Sequence, residues 1–519
     1  MVRRVVVLLA AVSLVTAGLV TAASGCDSFA STAAADAPDG SDGSDDSTAS
    51  ETGGPAVDAA LDGAARTLTA IYAKSFGSAT DAGEAGASIF PNGLAVDPSG
   101  GLSVVGTYGY EAVDVGGATL PTPNAADAFL LRLDAMGARV SSRNFDFPGD
   151  QYGASLAGTS DKLYASFELQ GKMTFEGTDT VTGQGAADAF NSATVRFGTG
   201  TLSSGHSRFL SSANALVKGS GLGPAESIFT FGDWVNDLSV NGASSVTRMA
   251  GRTGIFVVRS FVLGGSDIVR TNLCDDDGTI CIASAFATNA VTGESVAGGR
   301  FLGHITGVDG GGITTAANDS DGYVMKLDAN LGLQGVAAVK GTGAEEVTAA
   351  TWVQGTDVIA AGTFDGSIEI PGTQSQVTKG KQDIFVVRLD KAGKAVWLRT
   401  FGGAGNDHVH AVTADADGNI FVAGSFNGPT LDVQGASLKN ADAAGLGTYD
   451  AFVVWLDANG NALYSARFGD GNDDDIQSIG LDGQGNLAIA GSFKGAIDFG
   501  TGPLGARGRL DMFVAKLKR

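Results

Sequence analysis

One triplet returns along this chain at a nearly fixed step. Asp-x-Phe, or a close variant, stands at Asp127-Ala128-Phe129, Asp188-Ala189-Phe190, Gly254-Ile255-Phe256, Asp321-Gly322-Tyr323, Asp383-Ile384-Phe385, Asp450-Ala451-Phe452 and Asp511-Met512-Phe513. The steps between copies are 61, 66, 67, 62, 67 and 61 residues. A period of this kind belongs to chains built from like units, each burying the face its neighbour leaves open.

The sixth copy shows what one unit contains. "HVHAVTADA" alternates apolar and polar residues as a strand does, and "DADGN" is a turn in which Asp and Gly supply the backbone freedom. "NIFVAGSF" and "DAFVVWLD" read as two further strands, "ANGN" as a tight turn, and "ALYSARF" as the fourth strand. We label the four a, b, c and d in chain order. Gly makes up 78 of 519 residues and Pro only 11, which fits many hairpin turns rather than a Pro-rich disordered chain. Seven such units point to an all-β chain, a seven-bladed β-propeller of four-stranded antiparallel blades. The segment "AIYAKSFG" at 70–77 matches strand d, whereas the last element, "DMFVAKL", matches strand c. The N-terminal strand is therefore expected to join the last blade and close the ring, which would remove an exposed sheet edge. Each d copy carries a cation (Lys74, Arg143, Arg208, Arg270, Lys340, Arg399 and Arg467), the usual protection of an outer strand.

These motifs resemble the bacterial seven-bladed β-propeller repeat family (SBBP-type repeats). The family's unit reads W-x-x-x-F-G-G-x-G-x-D, then D-x-x-G-N-x-x-V-x-G, then D-x-F-V-x-K-L-D. The likeness is close over 397–426 and 468–517, fair over 97–134 and 347–390, and poor over 141–300. It implies architecture and no common activity.

The N-terminus reads as an address. Arg3 and Arg4 precede an apolar stretch over 5–20 and the small residues "TAASGC", as in a secretory signal peptide over 1–25. Ala23-Ser24-Gly25-Cys26 resembles the bacterial lipoprotein box, which implies lipidation of Cys26; a cut after Ala23 and an uncleaved anchor helix are the alternatives. Residues 26–66 hold Ala, Ser, Asp and Gly with no cation before Arg66, and are expected to form a disordered acidic tether. Residues 67–519 would be the propeller.

The net charge is −23, which repels phosphate backbones and excludes nucleic acid as a natural partner. Acids gather before the a strands, at Asp275, Asp277, Asp407, Asp473, Asp474 and Asp475 among others. Carboxylates so placed suit a hard cation, and calcium is the cofactor this pattern allows; solvated turn residues are the plainer reading. Cys274 and Cys281 in "CDDDGTIC" are expected to form a disulfide in an exported protein. His408 and His410 lie two apart on a strand beside Asp407 and could hold a metal, or be ordinary strand surface. No nucleophile elbow, phosphate loop or other catalytic motif is present, so no catalytic residue is assigned. The expected function is a monomeric, non-catalytic binding module. It would be lipid-anchored in the cell envelope, at the outer membrane or surface, and meet protein or polysaccharide. The alternatives are an extracellular hydrolase or lyase, and a purely structural surface protein. A binding module should show an exposed aromatic or apolar patch on its loop face.

Overall fold

The computed structural model describes residues 56–57 and 66–519, apart from 146–148, 159–162, 171, 175–179, 183–189, 198–201, 212, 242–243, 248–252, 262–265, 272, 275–278, 308–311, 316–318 and 443–446. The signal peptide, Cys26, Asp188, Asp275 and Asp277 lie outside the described residues.

Strands Ser88–Val96, Leu102–Gly109, Asp127–Leu133 and Arg139–Phe145 pair in chain order, each antiparallel to the next. The same a–b–c–d order returns over 151–210, 215–270, 280–341, 345–401 and 407–468. A last set starts with Asp474–Leu481, Leu487–Phe493 and Asp511–Lys518. Its fourth strand comes from the other end of the chain: Thr69–Ser78 pairs antiparallel with Asp511–Lys518, Ala73 opposite Ala515. Ala56 and Val57, inside the segment read as a tether, pair with Arg467 and Ala466 on the outer edge of the sixth set. Among the described residues the helical elements are two 3-10 turns, Gly83–Ala85 and Pro224–Glu226.

Each a strand packs on the next. Ser88–Val96 touches Gln151–Gly158, and contact passes through Ala215–Gly223, Ile280–Thr288, Glu345–Val353 and Asp407–Ala414 to Asp474–Leu481, which touches Ser88–Val96. The apolar cores lie between sets. Phe401, Ile384 and Val386 of one set share a cluster with Val409, Phe426 and Phe452 of the next. Ala488, Ala490, Met512 and Val514 likewise share one with Ile89, Val104 and Phe129. The aromatics of the repeated triplet at 129, 256, 323, 385, 452 and 513 are all fully buried, so they are the anchors of these interfaces.

The polar letters of the repeat have local causes. In the turn "DADGN" Asp415 Oδ1 accepts the Asn419 N–H at 2.8 Å, and Gly418 takes φ +88°, which a side chain would resist. The cation of strand c ties one set to the next. Arg259, Lys326 and Arg388 donate to the carbonyls of Ala329, Lys391 and Ala458 at 2.6, 2.9 and 2.9 Å. The strand-d cation Arg399 does the same with Gly460 O and Asn459 O, at 3.0 and 2.8 Å, so its role includes joining sets as well as guarding an edge.

Candidate functional site

The repeated Asp of strand c is buried rather than displayed. Asp383 accepts the Lys379 N–H, Asp450 the Ala441 N–H, and Asp511 those of Arg507 and Gly508, all between 2.7 and 3.0 Å. Each carboxylate closes the loop before its own strand. The glycines after strand d leave room for it. A Cβ on Gly402 would lie 2.1 Å from the Asp383 carboxyl carbon, and one on Gly77 would lie 2.0 Å from that of Asp511. The next acid follows at once, since Gly403 N–H donates to Asp407 Oδ2 at 2.7 Å. Paired acids therefore sit at the junctions between sets: Asp321 with Glu345, Asp383 with Asp407, Asp450 with Asp474. Burial is the first cause that raises their proton affinities; Asp319 and Asp321 add to it at Glu345, Asp383 at Asp407, and Asp470 and Asp442 at Asp450. Glu345 is pushed up to about 9, Asp407 to about 8 and Asp450 to about 7.

The a strands carry a second kind of chemistry. Most are shifted by one residue against strand b, so that Asn92, Lys218, Ser284, Thr348, His410 and Gln477 are stepped over. A bulge leaves its extra residue out of the ladder and re-aims its side chain. Four of these side chains reach an adjacent set. Lys218 Nζ lies 3.3 Å from Glu168 Oε1, and the Thr348 hydroxyl donates to Val409 O at 2.6 Å. The Ser284 hydroxyl donates to Glu346 Oε1, and His410 Nε2 lies 3.3 Å from Asp475 Oδ2. Burial opposes the charge on Lys218, but the carboxylates of Glu168 and Asp233 outweigh it and hold its proton above the ordinary lysine range. Burial lifts Asp233 to about 6, against the pull of Lys218. Burial likewise drives His408 down to about 4, helped by His410. At His410 burial loses to Asp475, which raises it, and His410 in turn draws Asp475 below the usual carboxylate range. His410 and Asp475 thus each favour the other's charged form, beside a His408 whose neutral form burial favours.

Aromatic side chains stand at the start of the a strands. Phe90 and Tyr110 are each 37% exposed, at neighbouring ends of strands a and b of the first set. Tyr110 takes φ 76°, a conformation that bulky residues adopt rarely, and the Arg509 guanidinium lies 5.1 Å over its ring. Tyr152, at the same end of the next a strand, has its phenol proton held well above the ordinary range by burial, then by Asp150, Glu168 and Tyr110. Two recesses lie elsewhere. One of 420 Å³ is lined by Tyr72, Lys74 and Leu504, and one of 240 Å³ by Asp97, Ser103 and Arg132.

The acids singled out by sequence go separate ways. Asp473 meets Lys494 at 3.1 Å, buried Asp474 accepts the Asp470 N–H at 3.0 Å, and Asp475 faces His410. Asp407 turns to Gly403 and away from the two histidines, whose rings are 6.1 Å apart. Among the described residues no group of three or more His, Cys, Asp and Glu side chains is placed to hold a metal ion. Cys274 and Cys281 are joined by a disulfide with their Cα atoms 6.4 Å apart, both buried. Sequence reasoning passed over Phe90, Tyr110, Lys218 and Glu168. At Lys218 the bulge interrupts the alternation that would have shown it.

No protein-family model matches the chain. The chain is 29% identical over 143 residues to the regulatory protein FlaEY of Caulobacter vibrioides, a match covering 27% of this chain and 14% of that protein. It is 23% identical over 150 residues to an uncharacterized WD repeat-containing protein of Acanthamoeba polyphaga mimivirus, covering 27% of this chain and 11% of the other. The matches therefore span a small part of the length of either relative. Among solved structures, the WD40 β-propeller domain of Doa1 aligns over 87% of this chain and 97% of its own, with 10% identity and a TM-score of 0.38.

Proposed function

We propose that this protein is a lipid-anchored, non-catalytic binding module of the cell envelope. Its scaffold would be a seven-bladed β-propeller, closed by strand Thr69–Ser78 and carried on a tether from Cys26. The ring is supported by the chain of contacts among a strands that returns from Asp474–Leu481 to Ser88–Val96, and by the core shared across that junction. The binding reading rests on one observation above the others. Phe90 and Tyr110 stand exposed at the loop end of the a strands, in a chain that buries most of its other aromatics. Exposed aromatics of this kind mark contact surfaces. The partner would be a protein or a polysaccharide of the envelope.

Two variants test the proposal. Cys26→Ser should move the protein from the membrane to a soluble fraction; retention in the membrane would contradict the anchor. In that soluble background, Phe90→Ser with Tyr110→Ser should abolish capture of envelope components while leaving the melting temperature unchanged. Undiminished capture by the double variant would place the contact surface elsewhere.

A further inference from the structure

The a strands carry two rows of residues at matching register. The bulged residues, Asn92, Lys218 and His410 among them, form one row, and the residues two places earlier form the other. Phe90, Glu346 and Asp475 stand in that second row. Phe90 and Asn92 are both exposed while Pro91 between them is buried, so the ring and the amide face the same way.

The charges in these rows are matched within the protein. Lys218 meets Glu168 at 3.3 Å, Glu346 meets Arg300 at 3.7 Å, and Asp475 meets His410 at 3.3 Å. All six side chains keep some exposure. Among the described residues, these rows are therefore polar yet hold no unmatched charge to draw an ion. An anionic ligand would also meet a chain of net charge −23.

The exposed rings are isolated. The Arg509 guanidinium lies over Tyr110, which leaves one face of that ring to a ligand. The other large apolar side chains exposed among the described residues are Met136, Val140, Val291, Val377 and Val396, and none of them lies on an a strand. A protein interface sets its aromatic anchors at the centre of a desolvated patch. Here the rings stand beside an amide and matched charges instead. Flat rings next to such an amide suit a sugar. The C–H face of a pyranose packs on the ring, and an amide, which donates and accepts, serves the neighbouring hydroxyls.

We propose that Phe90, Tyr110 and Asn92 form the binding site for a neutral glycan, with sugar rings on the aromatic faces and the Asn92 amide bonded to their hydroxyls. This rests on the reading of the chain as a binding module, and it commits the partner to polysaccharide.

The probe is envelope polysaccharide of the source cells, digested with proteinase K and divided on an anion exchanger into neutral and acidic fractions. The full-length Cys26→Ser protein would be immobilised, and affinity read by frontal chromatography. The neutral fraction should be retained and the acidic one should pass. Raising the salt about tenfold should leave retention unchanged, because a neutral ligand has no charge to screen. Phe90→Ala should weaken binding about tenfold or more, as loss of a contact aromatic does. Asn92→Ala should weaken it about fivefold, within the range of a neutral hydrogen bond. Val396→Ser, on an outer strand, should change nothing. Should Phe90→Ala fail to fold, Asn92→Ala decides alone. Full affinity in the folded variants would overturn the proposal, and so would preferential, salt-sensitive retention of the acidic fraction. Capture of undigested envelope material that ends with proteinase K, or that survives periodate cleavage of the sugars, would overturn it in favour of a protein partner and leave the binding module standing. No capture from any fraction, digested or not, would defeat both readings together.

Discussion

Over 345–518 the junctions between successive sets hold pairs of buried carboxylates besides their hydroxyl and histidine contacts; over 151–270 hydroxyls, one ion pair and stacked rings join the sets without such acid pairs. In the first region Asp407 and Asp474 open their a strands, fully buried; Gly469 presses against the Asp474 carboxyl group, and Gly402 against that of Asp383. In the second, Gln151 and Ala215 open the a strands instead. There Ser220 Oγ lies 2.8 Å from both Ser155 Oγ and Ser166 Oγ, and Lys218 meets Glu168. Phe209 stacks on Phe256 with centroids 5.0 Å apart, and Phe231 on Phe286 at 5.3 Å. Strand order and pairing are the same in both regions. The difference separates two roles that the repeat merges at the level of sequence. Alternation and turns make a unit, while the Asp and Gly letters make one particular kind of junction.

The largest effect is expected at the junction that both chain ends build. Phe76 and Tyr72 on strand Thr69–Ser78 are buried to 2% and 6% exposure, so Phe76→Ala alone should cost about 3–5 kcal/mol. Removing 67–78 should cost more, while removing 27–52 should leave the melting temperature unchanged. Equal losses from the two truncations would show that the strand is no part of the last set.

A second variant probes the carboxylate junction itself. Gly402→Ala drives a Cβ into the Asp383 carboxyl group and should cost about 3 kcal/mol, as overpacking does. Gly335→Ala, where the added carbon meets nothing within 4 Å, should stay within about 0.5 kcal/mol. Asp383→Ala should weaken the effect of Gly402→Ala in a double-mutant cycle; additivity would mean the two groups do not meet.

The pH dependence should also divide the regions. Glu345, Asp407 and Asp450 bind their protons more tightly folded than unfolded, with folded values of about 9, 8 and 7. Their stabilisation is complete below the unfolded value near 4 and is lost as pH climbs through the folded ones. Thermal unfolding should therefore come at a lower temperature at pH 9 than at pH 5, and Asp407→Asn should flatten that slope. A melting temperature that rises with pH across this window would contradict the buried acid pairs. The smallest expected effect lies in the other region. Lys218→Met removes one partner of a half-buried ion pair and should cost about 1 kcal/mol by denaturant melts, whereas a neutral result would show the pair to be ornamental.

Much of this architecture was legible in the residues. Turns such as "DADGN" and anchors such as Phe452 admit few substitutes, so they recur visibly. The wall was not legible, for two physical reasons. A bulge at His410 or Lys218 shifts the strand by one residue, and a one-residue shift exchanges the faces. The second reason is alternation along a strand, which sends neighbours to different places. Asp473, Asp474 and Asp475 read as one acidic run, yet they face Lys494, a backbone amide and His410. The need for glycine at 402 was equally hidden, because its cause, Asp383, stands nineteen residues earlier, beyond a full hairpin.

The central claim is that the N-terminal strand completes the last set, and cross-linking tests it most directly. Ala73 and Ala515 face each other across that pairing. In the soluble Cys26→Ser background, Ala73→Cys with Ala515→Cys should form a disulfide under mild oxidation and raise the melting temperature, while Ala73→Cys with Ala466→Cys should not cross-link. Failure of the first pair to join in a folded protein, or joining of the second instead, would contradict the account.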